Sequence, residues 1–382
     1  MADAGAQAVL PIVEEAKVRS GIYPAQWFPG AIARGVIRCA EETVPGQIQP
    51  ASIDLRLGST AYRVPASFLP GRKHRVEDKL AWLAEERIDL THGAVLERNQ
   101  VYIVPLLEHL DLKKRMTAAA NPKSSTGRLD VFARVIADYA TEFDSVAEQY
   151  AGPLWVEIAP RSFRVIVRKG SRLVQLRVRR GLPRSSEKQL KELHRQVGIV
   201  RGEDDAVDIR RSGIAISVDI AGDDPARPVG FKARTTDACI DVDKVGFYDP
   251  DTFWTPVFRP ASGGIVLDPK DFHILASKEA VTVPDDHAAD MIAYDTLVGE
   301  FRVHYAGFFD PGFGHSPQGQ HAARAVLEVR SHEVPFIIED GQIMGRLIFE
   351  PLTERTDTPY GTGIGSSYQY QGLALSKHFK KT

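Results

Sequence analysis

Cysteine is scarce in this sequence, and neither sign of charge dominates. Only Cys39 and Cys239 occur among 382 residues, which argues against a disulfide framework or a zinc cage of thiolates and favours a reducing compartment. Lys and Arg number 48, against 50 Asp and Glu. Because no large excess of charge exists, no field over the whole surface would attract a nucleic acid polymer or an anionic membrane. Any anion must therefore be bound by a local cluster.

Long apolar runs are also missing. No stretch approaches the roughly 20 residues that a membrane-spanning helix needs. The first residues, MADAGAQAVLPIVEEAKVRSG, contain a short apolar run that is broken by Pro11 and Glu14, which does not match a secretory signal. We expect a cytoplasmic protein that has no membrane partner.

Helical periodicity is sparse, and short β-branched runs between Gly, Pro, Asn and Asp fill most of the chain. RSFRVIVRKG, SRLVQLRVRRG and EFRVHYAGFFDPG are typical of short antiparallel strands in a sandwich or barrel. Residues 84–97, AEERIDLTHGAVLE, and residues 185–198, SSEKQLKELHRQVG, have the spacing of short amphipathic helices. The sequence therefore predicts a mainly β fold with a few short helices.

The chain contains an internal repeat. LWVEIAPRSFRVIVRKGSRLVQLRV around Glu157 matches AVLEVRSHEVPFIIEDGQIMGRLIF around Glu328, with Gly170 and Gly341 each thirteen residues beyond the glutamate. Upstream of these segments, FARVIA in the first half matches FRVHYA in the second. Still further upstream, SIDL matches SVDI, so the matching segments have the same order in both halves. From these matches we infer that the chain contains a duplicated β domain. The expected division is an N-terminal extension (1–39), a first β domain (40–182), a charged linker (183–212), a second β domain (213–352) and a C-terminal lid or tail (353–382).

The stretch NPKSSTGRLDVF gathers the donors that an oxyanion such as a phosphate needs. They are the hydroxyls of Ser124 and Ser125, the permissive backbone of Gly127, the fork of Arg128 and the cation of Lys123. A polar turn before an edge strand would explain the same letters without a ligand. The second repeat carries AYDTLV at this register, so the cluster occurs once.

Three carboxylates are candidates for chemistry. Glu157 and Glu328 share one register of the repeat and lie in apolar strand segments, where a buried carboxylate without a partner is costly, although alternation would also allow each to face solvent. A carboxylate in a dry pocket beside an arginine can act as a general base. Asp310, in DPGF, is most simply a turn former, and it can also accept a hydrogen bond from a sugar hydroxyl.

The tail, YGTGIGSSYQYQGLALSKHF, mixes glycines with aromatics, amides and cations. A frayed terminus would have this composition. So would a lid that orders over a bound ligand.

In order along the chain, PKSSTGRLDVF, AGFFDPGF, VLEVRS followed by GQIMGRLIFEPL, and YQYQGLALSKHF resemble motifs of the dCTP deaminases, relatives of the trimeric dUTPases. The resemblance covers nearly the whole chain as a long form with a duplicated domain. It implies two tandem dUTPase-like β-barrel or sandwich domains and the hydrolytic deamination of dCTP to dUTP and ammonia, which supplies dUTP for dTTP synthesis. It also implies a homotrimer, Mg²⁺ bound through the substrate triphosphate, no zinc, and dTTP as a candidate inhibitor.

Carried over to this sequence, the resemblance implies that Ser124 helps to position the attacking water and that Arg128 orients the catalytic carboxylate. Glu328 or Glu157 would be the general base and proton shuttle. Substrate-binding positions would be Lys123 and Ser125 along the triphosphate, Gly127, Ala306, Asp310 at the deoxyribose, the backbone of Val326 and Leu327 at the cytosine, and Tyr360 and Gln371 from the tail. The family usually carries a lysine a few residues before that glutamine, and GSSYQYQ lacks it.

The chemistry expected from this resemblance needs no zinc. Most cytosine deaminases activate water on zinc held by His and Cys, with a PCxxC signature, and no such signature occurs in this sequence. A glutamate that takes a proton from water as it attacks C4, and returns it at N3 and the leaving amine, performs the same task.

In the family that the sequence resembles, each site lies between neighbouring subunits, so the duplication suggests a division of labour within the site. The first half would supply the serines and Arg128, and the second half would supply Asp310, Glu328 and the tail. The competing arrangement is a site between the first halves of different chains that uses Glu157.

Two other functions stay open at this point. A dUTP diphosphatase, or a bifunctional deaminase and diphosphatase, is suggested by the glycine-rich YGTGIGSS. A catalytically silent deoxynucleotide sensor is suggested by the loss of the serine and arginine cluster in one half.

Overall fold

A computed structural model describes residues 19–202, 207–210, 213–292, 301–303, 307–315, 323–331, 333–361 and 368–381 of the chain. The first half folds mainly into strands. In chain order its elements are β1 (Gly21–Ile22), α1 (Trp27–Ala33), β2 (Ile37–Cys39), β3 (Ile48–Gln49), β4 (Ser52–Leu55), β5 (Thr60–Val64), α2 (Val76–Leu83), β6 (Glu86–Asp89), β7 (Ala94–Leu96), β8 (Val101–Asp111), β9 (Met116–Pro122), α3 (Ser124–Gly127), β10 (Val131–Ala137), β11 (Ser145–Val146), β12 (Ala151–Pro160), β13 (Arg164–Val167) and β14 (Val174–Arg180).

The second half begins with a helix and continues as strands. Its elements are α4 (Glu187–Val197), β15 (Val200–Arg201), β16 (Ile209–Arg210), β17 (Gly213–Asp219), β18 (Gly230–Ala233), β19 (Cys239–Asp241), a 3₁₀ turn (Pro250–Thr252), β20 (Trp254–Val257), β21 (Gly264–Leu267), β22 (His273–Val281), β23 (His287–Ile292), β24 (Phe301–Val303), β25 (Phe308–Phe309), β26 (Ala323–Ser331), β27 (Phe336–Glu339) and β28 (Ile343–Pro351). The mainly β fold predicted from the sequence is confirmed.

Two antiparallel sheets enclose the core of the first half. One has the order β11-β9-β14-β4-β3 with β1 beside β14, and the other has the order β10-β12-β8-β5-β6 with β2 beside β8. In β10, Val131, Ala133 and Val135 are buried at alternate positions, as expected for a strand with one face on the core. Residues from both sheets share one hydrophobic cluster.

Most strands of the second half belong to one larger sheet instead of two separate ones. Its main path is β20-β18-β22-β17-β28-β23-β25, and β26 pairs with both β22 and β24. The pairing of β24 with β26 corresponds to that of β10 with β12 in the first half. The repeat found in the sequence is thus also a repeat of strand pairings.

One of the two helices predicted from periodicity forms. α4 begins after Ser186, whose side chain exchanges capping hydrogen bonds with Gln189, and it ends at Gly198 with a left-handed φ of 65°. The helix predicted over residues 84–97 is wrong, because this stretch forms β6 and β7. Gly93 has a φ of +96°, which interrupts a helix and turns the chain between the two strands.

The segments outside the predicted β domains pack onto them. β1 pairs with β14 and β2 with β8, while α4 buries Leu190 in the second core and β15 pairs with β22. The exact domain limits stay a prediction. No helix in the described part of the chain is long and apolar enough to cross a membrane.

The two halves touch directly. β13 of the first half runs parallel to β19 of the second, with Arg164 opposite Cys239. Trp254, Phe272 and Ile274 of the second half join the hydrophobic cluster of the first. Residues at the end of β9 and on β26 line one cavity between the halves.

Candidate active site

A cavity of about 310 Å³ lies where the two halves meet, a volume at the lower end of the range for small-molecule sites. The first half lines it with residues at the end of β9 and in α3, and the second half lines it with residues of β25 and β26. The tail adds Tyr360, Tyr368, Gln371 and Lys377. Segments that are far apart in the sequence therefore form one site.

The turn α3 presents Ser124 and Ser125 to the cavity. The backbone N–H of Lys123 donates to the carbonyl of Leu173 at 2.9 Å, and the hydroxyl of Thr126 donates to the same carbonyl at 2.8 Å. These two bonds fix the turn on the neighbouring strand region. The serine hydroxyls are thereby held at the cavity wall.

Glu328 lies on β26 at the cavity wall and is only 4 % exposed. Burial raises the pKa of its carboxyl from 4.5 to about 8, against the opposing effect of Arg128. Its neighbour on β22 is Ile274, which carries no charge. The nearest cation comes from the other half of the chain, since Nε of Arg128 lies 3.8 Å from Oε1 of Glu328.

Arg128 connects this carboxylate to the tail. Its Nη2 donates to Oε1 of Gln371 at 2.9 Å, and its Nη1 donates to the carbonyl of Ala374 at 3.0 Å. Its guanidinium carbon lies 3.9 Å from the ring centroid of Tyr368. The buried Nε has no hydrogen-bond partner among the described residues, so it remains available to Glu328 or to a bound group.

Glu157 lies on β12 and is not part of the cavity wall. Arg134 of β10 stands directly opposite, and its Nε donates to Oε1 of Glu157 at 3.2 Å. The side chain is 2 % exposed. The structure therefore does not bring Glu157 to the serines and Arg128, because a cation of its own sheet already holds it.

Asp310 follows β25 and is 8 % exposed. Burial raises the pKa of its carboxyl, and Arg177 opposes this effect. Nη2 of Arg177 donates to Oδ1 of Asp310 at 3.2 Å and to the carbonyl of Phe309 at 2.9 Å. This arginine, which is fully buried on β14, fixes the turn that presents Asp310.

Three cations at the cavity were not assigned together from the sequence. Lys123 forms an ion pair with Oδ2 of Asp54, and Nη1 of Arg172 lies 3.5 Å from the same oxygen. Lys377 also lines the cavity, and burial together with Lys123 lowers the pKa of its ammonium group. Asp54 lies in the repeated SIDL motif and Lys377 in LSKHF, so both motifs were visible, but no sequence pattern linked them to the serines.

The remaining predicted positions divide into three groups. Val326, Tyr360 and Gln371 line the cavity. The side chain of Leu327 is fully buried in the second core instead, because successive strand residues point to opposite faces, and the expected backbone contact stays a prediction. Gly127 is buried in α3 without lining the cavity, and Ala306 lies outside the described residues.

Most of the tail is folded against the site. The N–H of Tyr368 donates to the hydroxyl of Tyr360 at 3.1 Å, and the amide of Gln369 donates to the carbonyl of Gly312 at 3.1 Å. Ser376 donates to the carbonyl of Ser125 at 2.8 Å. These contacts differ from those of a frayed terminus, although the glycine-rich residues 362–367 lie outside the described part of the chain.

No group of three His, Cys, Asp or Glu side chains within the described ranges is arranged to hold a metal ion. Asp54 is engaged with Lys123 and Arg172. The polar atoms of the cavity are thus hydroxyls, amides, single carboxylates and cations.

Two family models together match nearly the whole chain. Residues 19–182 match the 2′-deoxycytidine 5′-triphosphate deaminase (DCD) N-terminal domain, and residues 186–379 match the C-terminal domain of the same family. A solved structure, the 2′-deoxycytidine 5′-triphosphate deaminase from Agrobacterium tumefaciens, is 49 % identical. The match covers 87 % of this chain and 99 % of that one, with a TM-score of 0.83.

Curated relatives match over a shorter stretch. A protein of Kocuria rhizophila named "dCTP deaminase, dUMP-forming" is 37 % identical over 110 residues, which are 28 % of this chain and 53 % of the relative. A protein of the same name from Halobacterium salinarum is 36 % identical over 110 residues, 28 % of this chain and 52 % of the relative. The chain spans about half the length of these curated relatives.

Proposed function

The chain belongs to the 2′-deoxycytidine 5′-triphosphate deaminase family, and from this premise we propose that it hydrolyses the exocyclic amine of dCTP. The observation that carries the proposal is the position of Glu328. This buried carboxyl, with its pKa raised to about 8, faces Arg128 in a cavity that also holds two serine hydroxyls and several cations. A titratable group near neutral pH beside a charged orienting group is the pattern of a general base.

In the proposed reaction, ionised Glu328 accepts a proton from water as the water oxygen attacks C4 of cytosine. The protonated carboxyl then donates to N3, and Glu328 next takes the proton of the new C4 hydroxyl and passes it to the amine, so that the C4–N bond breaks, the C4 carbonyl forms and ammonia leaves. Arg128 orients the carboxylate through its Nε, and the hydroxyl of Ser124 helps to place the water. Water and the amine exchange, so no redox partner is needed.

The triphosphate would lie along Lys123, Ser125, Arg172 and Lys377. All four line the cavity, and charged or hydroxyl donors of this kind suit phosphate oxygens. Asp54 now neutralises part of this charge. We propose that Lys377 supplies the phosphate contact that the family motif leaves open in GSSYQYQ.

Mg²⁺ would arrive with the triphosphate. The carboxylate nearest to the cations, Asp54, is held by Lys123 and Arg172, so the cavity fits a metal that is bound by phosphate oxygens rather than by a protein cage. The ion would neutralise phosphate charge. Ser125 and Lys123 would hold the remaining oxygens.

The sugar and base would occupy the second-half side of the cavity. Asp310 would accept a hydrogen bond from the 3′-hydroxyl, since its carboxylate is fixed by Arg177 at the cavity wall. Val326 would flank the cytosine. Tyr360 and Gln371, which come from the tail, would close the site.

The product is the finer question. The sequence alone favoured dUTP, whereas the curated relatives are named dUMP-forming, which favours the bifunctional alternative. We therefore propose that dUTP is an intermediate, and that a second water attacks its triphosphate and breaks the anhydride bond between the α- and β-phosphates, which releases dUMP and pyrophosphate. A catalytically silent sensor is the less supported alternative. The cavity brings together the proposed general base Glu328, Arg128 and the two serines, which are the groups that catalysis needs.

The deciding experiment treats the purified full chain with a zinc chelator and then supplies dCTP and Mg²⁺, following ammonia, dUTP, dUMP and pyrophosphate. We expect ammonia and dUMP in equal amounts. If ammonia is released and dUTP accumulates, the enzyme deaminates dCTP but does not cleave the triphosphate. If dCTP binds but no ammonia is released, the proposed deaminase activity is wrong and the protein is a deoxynucleotide sensor.

The homotrimer, the cytoplasmic location and the inhibition by dTTP stay predictions. Sedimentation of the purified chain tests the first. Turnover of dCTP in the presence of dTTP tests the last.

A further inference from the structure

A second buried ion pair joins the two halves beside Arg128 and Glu328. Nη2 of Arg330 donates to Oδ2 of Asp130. Asp130 is fully buried and Arg330 is 8 % exposed. Each residue lies two positions beyond a member of the first pair, and the signs are reversed, so each half contributes one cation and one anion.

The backbone places these two pairs side by side. Glu328 and Arg330 share a face of β26, because side chains alternate along a strand. Asp130 takes a left-handed φ of 56°, and its N–H donates to the carbonyl of Gly127 at 2.9 Å, which ties it to the turn that carries Arg128. Ser162 donates to Oδ2 of Asp130 at 2.5 Å, so the carboxylate is fixed from a second side.

Correct pairing matters because the members of the two pairs are near neighbours in sequence, with Arg128 two residues from Asp130 and Glu328 two residues from Arg330. Without Asp130, the guanidinium of Arg330 would lack its carboxylate and compete with Arg128 for Glu328. Without Arg330, the carboxylate of Asp130 would compete with Glu328 for Arg128. A buried ion pair adds little net stability, whereas a single buried charge is costly, so a role in fixing partners accounts for such a pair better than stability does.

We propose that Asp130 and Arg330 are positioning residues that hold β26 against the first half and keep Arg128 directed at Glu328. The inference rests on the proposed function, because the quantity that it controls is the ability of Glu328 to accept a proton. Neither residue lines the cavity, so neither would touch the substrate.

Other charged groups surround Glu328 and stay unchanged in the test. The titratable and charged side chains that share its cavity are Asp54, Lys123, Arg128, Arg172, Asp310, Tyr360, Tyr368 and Lys377. On β22, His273 stands opposite the residue after Glu328, and burial, with smaller effects of Lys232 and Arg330, lowers the pKa of this histidine to about 4, so it is neutral between pH 6 and pH 9.

The test compares Asp130→Asn with Arg330→Gln in the full chain. Asparagine keeps the shape and tolerates the left-handed backbone. We expect kcat for ammonia release to fall about tenfold or more in both variants, since misplacing a catalytic group is costly. The pH midpoint of activity should move by about one unit, to lower pH in Asp130→Asn and to higher pH in Arg330→Gln, because an added cation or a lost one changes the carboxyl pKa in opposite directions.

Controls separate positioning from stability. Asp241→Asn breaks another ion pair between the halves, with Arg168 at 2.7 Å, outside the cavity. It should lower Tm without moving the pH midpoint, and Arg330→Lys should restore part of kcat. Equal midpoints in Asp130→Asn, Arg330→Gln and the parent would overturn the proposal, even if both variants were less stable.

A readout without turnover keeps the two proposals distinct. The pH dependence of Tm, measured for each variant with and without Glu328→Gln, reports the pKa of Glu328 directly. If the parent releases no ammonia, the proposed function fails, and opposite shifts of this pKa would still support the positioning role. Absence of both shifts would overturn that role.

Discussion

Nε of Arg128 lies 3.8 Å from Oε1 of Glu328, and the two residues come from different halves of one chain. Glu157, the counterpart of Glu328 in the repeat, is instead held by Arg134 of its own sheet. The duplicated halves have thus diverged, since one keeps a carboxylate as part of a sheet and the other presents it to a cavity. One chain supplies every described element of the proposed site.

We predict that Glu328→Gln lowers the rate of ammonia release roughly 10²-fold to 10⁴-fold, which is the usual contribution of a general acid or base. Glu157→Gln should retain kcat and lower Tm, because it removes one partner of a buried ion pair. Steady-state kinetics and thermal melting of both variants provide the comparison. Loss of turnover only in Glu157→Gln would mean that the site lies elsewhere.

The activity should increase with pH. Glu328 must be ionised to accept a proton from water, and its pKa is raised to about 8 by burial. kcat/KM for dCTP should therefore rise about tenfold per pH unit below this value and level off above it. A profile that is flat between pH 6 and pH 9 would exclude Glu328 as the titrating base.

Stability should change in the opposite direction. Between the ordinary pKa of 4.5 and the folded-state value of about 8, the native protein keeps a proton that the unfolded chain has lost, so its stability falls as pH rises. Glu328→Gln removes this decrease in stability, because glutamine does not ionise. The variant should gain up to roughly 4 kcal/mol over the parent at pH 8 and almost nothing at pH 4, because one pKa unit corresponds to about 1.4 kcal/mol. Denaturant melts at both pH values measure the difference, and an equal gain at both would contradict the raised pKa.

Lys377→Met should weaken binding of dCTP about tenfold while leaving kcat nearly unchanged, because Lys377 is proposed to contact phosphate and not the base. Lys380→Met is the matched control, since this neighbouring lysine is exposed and does not line the cavity. Calorimetric titration of dCTP and dCMP checks the assignment. An equal loss for both nucleotides would place Lys377 away from the β- and γ-phosphates.

Asp310→Asn should remove discrimination by the sugar. The parent is expected to bind dCTP about tenfold more tightly than its 2′,3′-dideoxy analogue, which is the size of one hydrogen bond to a charged group. The variant should bind both analogues with similar affinity. If the ratio is unchanged in the variant, Asp310 does not contact the 3′-hydroxyl.

The sequence predicted the β fold and the repeat because strand periodicity is local and duplicated motifs keep their spacing. It mistook residues 84–97 for a helix, since charge spacing alone did not reveal the turn that Gly93 imposes. The helix α4 was found because its capping serine and terminal glycine lie next to it in the chain.

The site was predictable only where a motif carried it. Ser124, Ser125 and Arg128 adjoin one another, and Glu328 and Asp310 occupy distinctive short motifs. The choice between Glu328 and Glu157 required the partner of each carboxylate, which depends on strand pairing and on the contact between the halves. Arg172 and Lys377 reach the same cavity from distant segments, so no local pattern connects them.

The most direct test of a site completed within one chain is complementation. Arg128→Ala and Glu328→Gln, each of which we expect to be inactive alone, are coexpressed with different tags, purified through both tags in succession, and assayed for ammonia from dCTP. We predict that the mixed assembly is as inactive as either variant, because every single chain lacks one member of the Arg128 and Glu328 pair. Restored turnover would contradict the account, since it would show that Arg128 of one chain works with Glu328 of another.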